Sequence, residues 1–464
     1  MVFSGIPFLY YFLPCVLLLY FLAPFRLKNS VLLLSSLVFY AWGEPKFLIL
    51  MLITVAQSYA AGLLIERFRR FSKPILAVSL ILSFLSLGYF KYADFFIGSF
   101  NSLTGLSLPL TQAVLPIGIS FYTFQIASYV VDVYRKDSPA QKNFINLAAY
   151  ITMFPQLIAG PIVRYSDIAP QLIERKTTSS ALALGARRFV LGLSKKLLIA
   201  DVLGELVADF KATDEKSLLF WWVYAFACTL QIYFDFSGYS DMAIGLGKLL
   251  GFDFPENFDH PFISKSVTEF WRRWHMTLGG WFRDYLYIPL GGNRVSKPRW
   301  IFNIAVVWMA TGLWHGAAWN FVLWGVFFAV FLMIEKLWLL KYLKKSRVLS
   351  HFYVLLLCLI SFIIFDAVDV SSAFTGIAAL FGAGGLPITD AVGLYSLRSN
   401  LFVFLIAIVG STPIPAYLVK KLDSTKIGGK VMSVIEPLGL TALLAVCTAY
   451  MVDGSYSPFL YFRF

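Results

Sequence analysis

The chain of 464 residues is 59% apolar and 17% aromatic, and only 14% of its residues are charged. A soluble domain carries about a quarter charged residues, and one soluble core could not bury this much apolar surface. The composition therefore excludes an ordinary soluble enzyme, a disordered regulator and a nucleic-acid-binding protein. It predicts a protein that resides in a lipid bilayer.

The apolar segments predict an all-α polytopic membrane protein. A helix needs about 20 apolar residues to cross the hydrocarbon, and fewer where protein shields it, so we expect about eleven transmembrane helices. In chain order the candidates are Ile6–Pro24, Ser30–Gly43, Phe47–Ile65, Ile75–Phe90, Ala113–Val131, Leu147–Val163, Phe189–Leu206, Leu218–Phe234, Ile301–Leu313, Trp319–Ile334, Phe352–Val368, Leu401–Val419 and Met432–Val452.

Proline and glycine interrupt one of these segments. Pro155, Gly160 and Pro161 lie within Leu147–Val163. Non-helical backbone occurs at membrane depth only where protein or a cavity shields it, so we expect a broken or re-entrant helix here, with other helices lying at the interface. There is no internal repeat or linker, which favours a single domain over residues 1–464.

The positive charge is organised in clusters between the apolar segments. Lys and Arg exceed Asp and Glu by 39 − 26 = 13, an excess that cytoplasmic loops of membrane proteins commonly carry. The clusters are Arg26/Lys28, Arg67/Arg69/Arg70/Lys73, Arg135/Lys136/Lys142, Lys341/Lys344/Lys345/Arg347 and Lys420/Lys421/Lys426/Lys430. Placing them in the cytoplasm puts both the N-terminus and the C-terminus outside.

A single ionisable residue, His315, lies between Arg299 and Glu335. A titratable group within the membrane is costly and is by default a candidate functional site. The alternative is a packing histidine with satisfied ring nitrogens. Trp314 and Asn320 would line a tunnel beside it, in a segment that forms either two full spans or a deep hairpin bent at glycines.

A second histidine, His275, lies in the basic and aromatic run from Thr268 to Tyr285. Tryptophans at helical spacing with Arg residues are typical of a helix that lies in the headgroup layer, and we favour that role for most of them. The functional alternative is a cytoplasmic mouth that binds the phosphates of an anionic donor. Its donor-binding residues would be Arg272, Arg273, Arg283 and Trp274.

Two further segments carry polar or aromatic groups in unusual places. Asp235 and Tyr239 lie at the end of an apolar span, where they form either a cavity wall or a helix cap, and we favour a structural role. The last six residues include five apolar or aromatic ones. They either anchor the chain at the outer interface or bring Tyr461 to an acyl-transfer site from outside.

Together these motifs resemble the membrane-bound O-acyltransferase family, and specifically its bacterial alginate O-acetylation branch. The matching segments are Leu115–Gln125, Phe154–Ile162, Phe234–Asp241, Glu269–His275, Arg283–Arg294 and Leu313–Gly316. The resemblance implies a funnel-and-tunnel core that joins a cytoplasmic donor to an extracytoplasmic acceptor. It also implies that His315 is the catalytic histidine and His275 the second site position.

The resemblance to this family also suggests a reaction and partners. Acetyl transfer from a thioester to a hydroxyl needs a base near neutral pH, which histidine supplies. We expect acetyl-CoA as co-substrate, no permanently bound cofactor and no metal. Tyr461 would carry the acetyl group as a relay, because the C-terminus resembles the aromatic motif of a small membrane protein in lipoteichoic D-alanylation systems.

The expected location is the bacterial cytoplasmic (inner) membrane. The partners would be an extracytoplasmic acetyltransferase of the serine-hydrolase (SGNH) type and a polysaccharide acceptor. Two alternatives stay open at this point: a D-alanyl transferase fed by a carrier protein, and a glycan or lipid transporter, which the broken helices and the intramembrane histidine would also suit.

Overall fold

The computed structural model describes residues 1–214, 216–453 and 459–460, and the secondary structure in these ranges is helical. Seven helices in the described ranges are long and apolar enough to cross a membrane. They are Pro45–Arg67, Arg69–Thr104, Leu218–Leu249, Trp319–Leu343, Arg347–Asp366, Ala391–Gly410 and Lys426–Val452. The all-α multi-pass architecture is confirmed, whereas the count of about eleven spans stays a prediction.

The chain divides into two compact units, so the prediction of a single domain stays untested. The first unit comprises Met1–Phe189 and Ser240–Glu256. Its helices are α1 (Leu13–Leu22), α2 (Lys28–Gly43), α3 (Leu48–Arg67), α4 (Ser72–Leu87), α5 (Ala93–Thr104), α6 (Ile119–Arg135), α7 (Phe144–Thr152), α8 (Phe154–Leu157) and α9 (Tyr165–Ile173).

The predicted helix break lies in this first unit. Helix α7 ends at Thr152, α8 covers one turn, and the chain is non-helical from there to Arg164. The interrupted stretch is buried from Met153 to Val163. The backbone is therefore shielded by protein where proline and glycine break the helix, as expected for irregular structure at membrane depth.

The second unit comprises Val190–Tyr239 and Asn257–Phe464, and helices α10 and α12 contribute residues to both units. The remaining helices in the described ranges are α10 (Ser179–Ser194), α11 (Val202–Ala212), α12 (Leu218–Leu249), α13 (Val267–Arg273), α14 (Met276–Phe282), α15 (Lys297–His315), α16 (Trp319–Ile334), α17 (Leu340–Leu343), α18 (Arg347–Asp366), α19 (Val370–Leu380), α20 (Ala391–Gly410), α21 (Ile414–Asp423) and α22 (Lys426–Val452). Wider π-helical turns extend some of these helices, at Pro7–Phe12, Gly88–Tyr92, Lys195–Asp201, Arg283–Tyr287 and Glu335–Leu339.

Helices α15 and α16 form a tightly packed pair that ends at His315. A Cβ atom at Gly312 would lie 2.2 Å from the carbonyl oxygen of Phe321, and one at Gly325 would lie 2.3 Å from that of Trp308. Only glycine permits such close approach of the two backbones. The two helices are joined by the short connection 316–318, an arrangement that both alternatives for this segment share, so the choice between two spans and a deep hairpin stays a prediction.

Helix α12 is longer than the apolar pattern indicated. The predicted span ended at Phe234, but the helix continues to Leu249 and Asp235 lies in its interior. A helix-cap role for Asp235 is therefore wrong, because a cap stands at a helix end.

Candidate active site

The second unit brings His275 and His315 together in its interior. Their ring centroids lie 6.5 Å apart, and the two residues are 1% and 5% exposed. His315 is the last residue of α15, and His275 immediately precedes α14. Residues 40 positions apart in the sequence thus form one buried pair, as the two motifs suggested.

Aromatic rings surround the pair. The ring centroid of Trp314 lies 5.7 Å from that of His275 and 5.1 Å from that of His315. The ring centroids of Trp324 and Phe365 lie 5.0 and 5.2 Å from that of His315. The ring centroid of Phe236 lies 4.6 Å from that of His275, with the two ring planes nearly perpendicular. These rings keep bulk water away from both imidazoles, so electrostatic interactions at the site are stronger than in water.

A left-handed backbone turn positions His275. Its φ and ψ are 43° and 52°, a region that few non-glycine residues occupy and in which histidine is enriched. The turn lies between the end of α13 and the start of α14 and so lets one imidazole reach inward between two short helices. Such conformations cost of order 1–3 kcal/mol and are common at functional sites.

The hydrogen bonds around Asn257 fix the tautomer of His275. The backbone N–H of Thr277 lies 3.4 Å from the Asn257 Oδ1 position, and the Thr277 hydroxyl lies 2.9 Å from it. Because the backbone N–H only donates, this atom is the amide oxygen. His275 Nδ1 lies 3.0 Å from the same oxygen and must therefore carry the proton. Nε2 is then an acceptor, and it makes no hydrogen bond within the described part of the chain.

Burial determines the charge of His275. Removal from water, and to a smaller extent the nearby His315, holds the pKa of His275 well below its usual value of 6.5. His275 is therefore neutral at physiological pH. It presents a lone pair at Nε2 and no positive charge.

A cavity adjoins His315. Its lining residues are Ile232, Asp235, Phe236, Trp274, His315, Trp324, Phe362, Phe365 and Leu460. Aromatic and aliphatic groups make up most of this wall, and the ionisable members are Asp235 and His315. An apolar cavity with a few convergent polar groups is the usual form of a small-molecule site.

The predicted donor-binding residues have different surroundings. Trp274 is buried in the cavity wall, where it does not act as a headgroup anchor. Arg273 pairs with Asp259 at 2.7 Å and with Glu269 at 3.2 Å, and Arg283 pairs with the adjacent Asp284 at 2.6 Å. Arg272 is exposed.

The predicted tunnel-lining residues also divide. Asp235 lines the cavity, and buried Trp314 packs against both imidazoles, whereas the amide of Asn320 donates to the carbonyls of Ile364, Phe365 and Ala367 at the end of α18. Tyr239 is buried with its ring 4.5 Å from that of Phe459. Tyr461 lies outside the described residues.

Three residues near the site were not predicted from the sequence. Asn257 lies in a polar loop without a motif of its own, and only the fold brings it to His275. Lys196 forms ion pairs with Asp201 at 2.6 Å and with Asp235 at 2.7 Å. A lysine within the apolar segment Phe189–Leu206 was a signal that could have identified it, because buried lysines need a partner.

Glu335 is the third. This fully buried carboxylate accepts the backbone N–H groups of Val267 and Thr268 at 2.5 and 2.9 Å. It thereby stabilises the N-terminus of α13, the helix that leads to Trp274 and His275.

The chain is similar in sequence to a known family and to several individual proteins. The MBOAT, membrane-bound O-acyltransferase family, matches residues 46–365. The chain is 42% identical to a probable alginate O-acetylase AlgI of Azotobacter vinelandii, over 84% of this chain and 80% of that protein. It is 38% identical to a probable alginate O-acetylase AlgI of Pseudomonas putida over the full length of both. It is also 30% identical to a peptidoglycan O-acetyltransferase of Helicobacter pylori, over 98% of this chain and 96% of that protein.

Proposed function

Because the chain belongs to the membrane-bound O-acyltransferase family and is a multi-pass membrane O-acyltransferase, we propose that it passes acetyl groups from cytoplasmic acetyl-CoA to a hydroxyl outside the cell membrane. The acceptor pathway leads to a polysaccharide, in keeping with relatives named for alginate and peptidoglycan O-acetylation. The observation that carries the proposal is buried His315, which lines an apolar cavity and lies 6.5 Å from the ring of His275.

His315 acts as the general base in this proposal. It takes the proton from the acceptor hydroxyl as the hydroxyl oxygen attacks the thioester carbonyl carbon. The carbon–sulfur bond then breaks, and the proton passes from His315 to the leaving thiolate. The carbonyl end of α15 carries partial negative charge, which stabilises the positive charge that develops on His315 in the transition state.

His275 has a different role in this proposal. A partner of the oxyanion would need a proton at Nε2, whereas the neutral His275 carries its proton at Nδ1. A neutral imidazole whose Nδ1–H is bound to Asn257 offers only a lone pair at Nε2. It therefore orients a substrate by accepting an N–H or O–H hydrogen bond. Polarising a carbonyl would require a proton at Nε2, so the resting state of the site supports orientation of the donor.

The direction of transfer rests on charge placement. The basic clusters between the apolar segments favour a cytoplasmic donor side, with both termini outside. The protein would reside in the bacterial inner membrane and hand acetyl groups to a serine-hydrolase (SGNH) type acetyltransferase on the outer side. Tyr461 would be the first acceptor in that relay.

Sided proteoliposomes test this proposal. With acetyl-CoA supplied on one face only and a hydroxyl acceptor on the other, we expect free CoA to appear on the donor side and acetylated product on the other. Mass spectrometry of the product distinguishes acetyl from D-alanyl transfer. If the protein moves a glycan or lipid across the membrane and leaves the thioester intact, the result would contradict the proposal and favour a transporter.

A further inference from the structure

Two cations of the first unit share one aromatic ring near the start of α2. Lys28 Nζ lies 4.7 Å from the ring centroid of Tyr20, and the guanidinium carbon of Arg175 lies 5.5 Å from the same centroid. Partial removal from water, and then the charge of Arg175, lower the pKa of the Lys28 ammonium. Because the two positive charges repel each other, an anion bound beside them would be stabilised by both.

The hydrogen-bond partners of Arg175 are all neutral. Its Nε donates to the hydroxyl of Tyr20 at 2.7 Å and to the carbonyl of Leu250 at 3.2 Å. Its Nη1 donates to Asn29 Oδ1 at 2.8 Å and to the carbonyl of Gln171 at 3.1 Å, whereas buried Nη2 makes no hydrogen bond within the described ranges. These four oxygens hold the guanidinium in place without neutralising its charge.

No carboxylate in the described part of the chain forms an ion pair with either cation. Glu174 is exposed, and Asp253 pairs with Lys248 instead. Lys28 is partly exposed, so its ammonium is accessible to a ligand, while the more enclosed Arg175 adds its charge from behind. The pair therefore presents two uncompensated positive charges through one accessible donor.

Exposed apolar side chains flank the cation pair. This apolar rim comprises Phe21, Leu22, Phe25 and Leu27, which are between 43% and 74% exposed. Lys28 Nζ lies 5.7 Å from the ring centroid of Phe21, and the guanidinium carbon of Arg175 lies 5.9 Å from that of Phe25. A soluble anion gains nothing from exposed apolar groups, whereas a phospholipid joins a phosphate to acyl chains. The surroundings therefore favour a lipid.

We propose that Lys28 and Arg175 form a binding site for the phosphate group of an anionic phospholipid, whose acyl chains lie against the apolar rim. Lys28 donates a hydrogen bond to a phosphate oxygen, and Arg175 contributes its charge. Lys28 belongs to a basic cluster that we expect to face the cytoplasm, so the lipid would come from the inner leaflet. This site goes beyond the proposed function, because it takes no part in acyl transfer.

Three substitutions isolate the contribution of the ammonium. Lys28→Gln removes the positive charge and keeps a polar side chain, whereas Lys28→Arg retains the charge. Lys46→Gln is the matched control, because it removes one positive charge at an exposed lysine just beyond the other end of α2. Arg175 is left unchanged, since its four hydrogen bonds join separate segments of the chain and their loss would lower stability.

Native mass spectrometry of the full-length protein in detergent, titrated with phosphatidylglycerol or phosphatidylcholine, measures lipid binding. We expect the wild type to bind one phosphatidylglycerol more tightly than phosphatidylcholine. Lys28→Gln should bind phosphatidylglycerol at least about tenfold more weakly, the factor that one lost charged hydrogen bond corresponds to. Lys28→Arg and Lys46→Gln should keep the wild-type affinity. Equal affinities of Lys28→Gln and the wild type, or an equal loss in Lys46→Gln, would overturn the site.

Titration with inorganic phosphate tests whether the ligand is a lipid. We expect phosphatidylglycerol to bind the wild type at least about tenfold more tightly than inorganic phosphate, because burial of two methylene groups already supplies this factor. If inorganic phosphate binds as tightly as phosphatidylglycerol, the apolar rim plays no part and the assignment to a lipid is overturned. None of these measurements depends on acetyl transfer, so their results are independent of the proposed function.

Discussion

Asn257 fixes the proton position on His275, and replacing it with aspartate should make catalysis depend on pH in a new way. The carboxylate of Asn257→Asp has nearly the same shape and still accepts hydrogen bonds from His275 and Thr277. It places a negative charge where Asn257 Oδ1 now lies, 3.0 Å from the imidazole. The protonated state of His275 is then favoured, because an opposite charge stabilises it.

The size of this effect follows from the separation of the two groups. An opposite charge at this distance raises the pKa of His275 by about 1–3, equivalent to about 1.4–4 kcal/mol. In the wild type, burial keeps His275 neutral across the neutral range. In the variant, Nε2 gains a proton as pH falls through the raised pKa, so its lone pair is lost and transfer slows. Ionisable groups near the site in the described part of the chain include His315 and the Lys196–Asp235 pair.

CoA release at saturating acetyl-CoA, followed from neutral pH down to the pH at which either protein unfolds, measures the effect. We expect the transfer rate of the variant to begin its acidic decline at a higher pH than that of the wild type. Thr277→Val is the control, since it removes one donor to Asn257 and leaves the His275 contact in place. If the acidic decline of Asn257→Asp begins at the same pH as that of the wild type, the contact between Asn257 and His275 Nδ1 is refuted.

Three further predictions concern the supporting structure. Gly312→Ala should lower the thermal stability in detergent by about 1–3 kcal/mol through backbone overlap of the two packed helices, whereas Gly439→Ala, with open space around it, should not destabilise the protein. Glu335→Gln should lower both stability and transfer rate by weakening the start of α13, with a stability cost of about 1–2 kcal/mol; an unchanged melting temperature would contradict this. Arg272→Gln should raise the KM for acetyl-CoA about tenfold, because it removes an exposed guanidinium that binds donor phosphates in the proposed function, and an unchanged KM would contradict that role. Arg273→Gln should mainly reduce stability, because its guanidinium is already paired.

The composition of the chain, and the rarity of charged residues within its apolar segments, predicted much of the fold and of the candidate site. The apolar fraction predicted the membrane, Pro155 and Gly160 predicted a broken helix, and the isolation of His315 predicted a buried functional group. These features depend on local chemistry. Only apolar helices are stable in the hydrocarbon, proline interrupts a helix, and an ionisable group within a membrane is costly and is therefore a candidate functional residue.

What the sequence could not provide were pairings between distant elements. The polar run after Phe234 indicated a helix end, but the interior position of Asp235 is stable because Lys196 neutralises it, and that pairing exists only in the folded chain. Asn257 could not be recognised for the same reason. Its function depends on the left-handed turn at His275, which places an imidazole beside an otherwise unremarkable amide.

The central claim is that His315 is the base of an acyl transfer, and the acetyl-transfer rate of purified His315→Ala in nanodiscs tests it most directly. The account predicts a loss of about 100-fold or more in protein that remains folded, since removing a general base typically costs this much. His260→Ala, at a partly exposed histidine outside the site, is the control and should transfer at the wild-type rate. Transfer by His315→Ala at a rate close to that of the wild type would contradict the account.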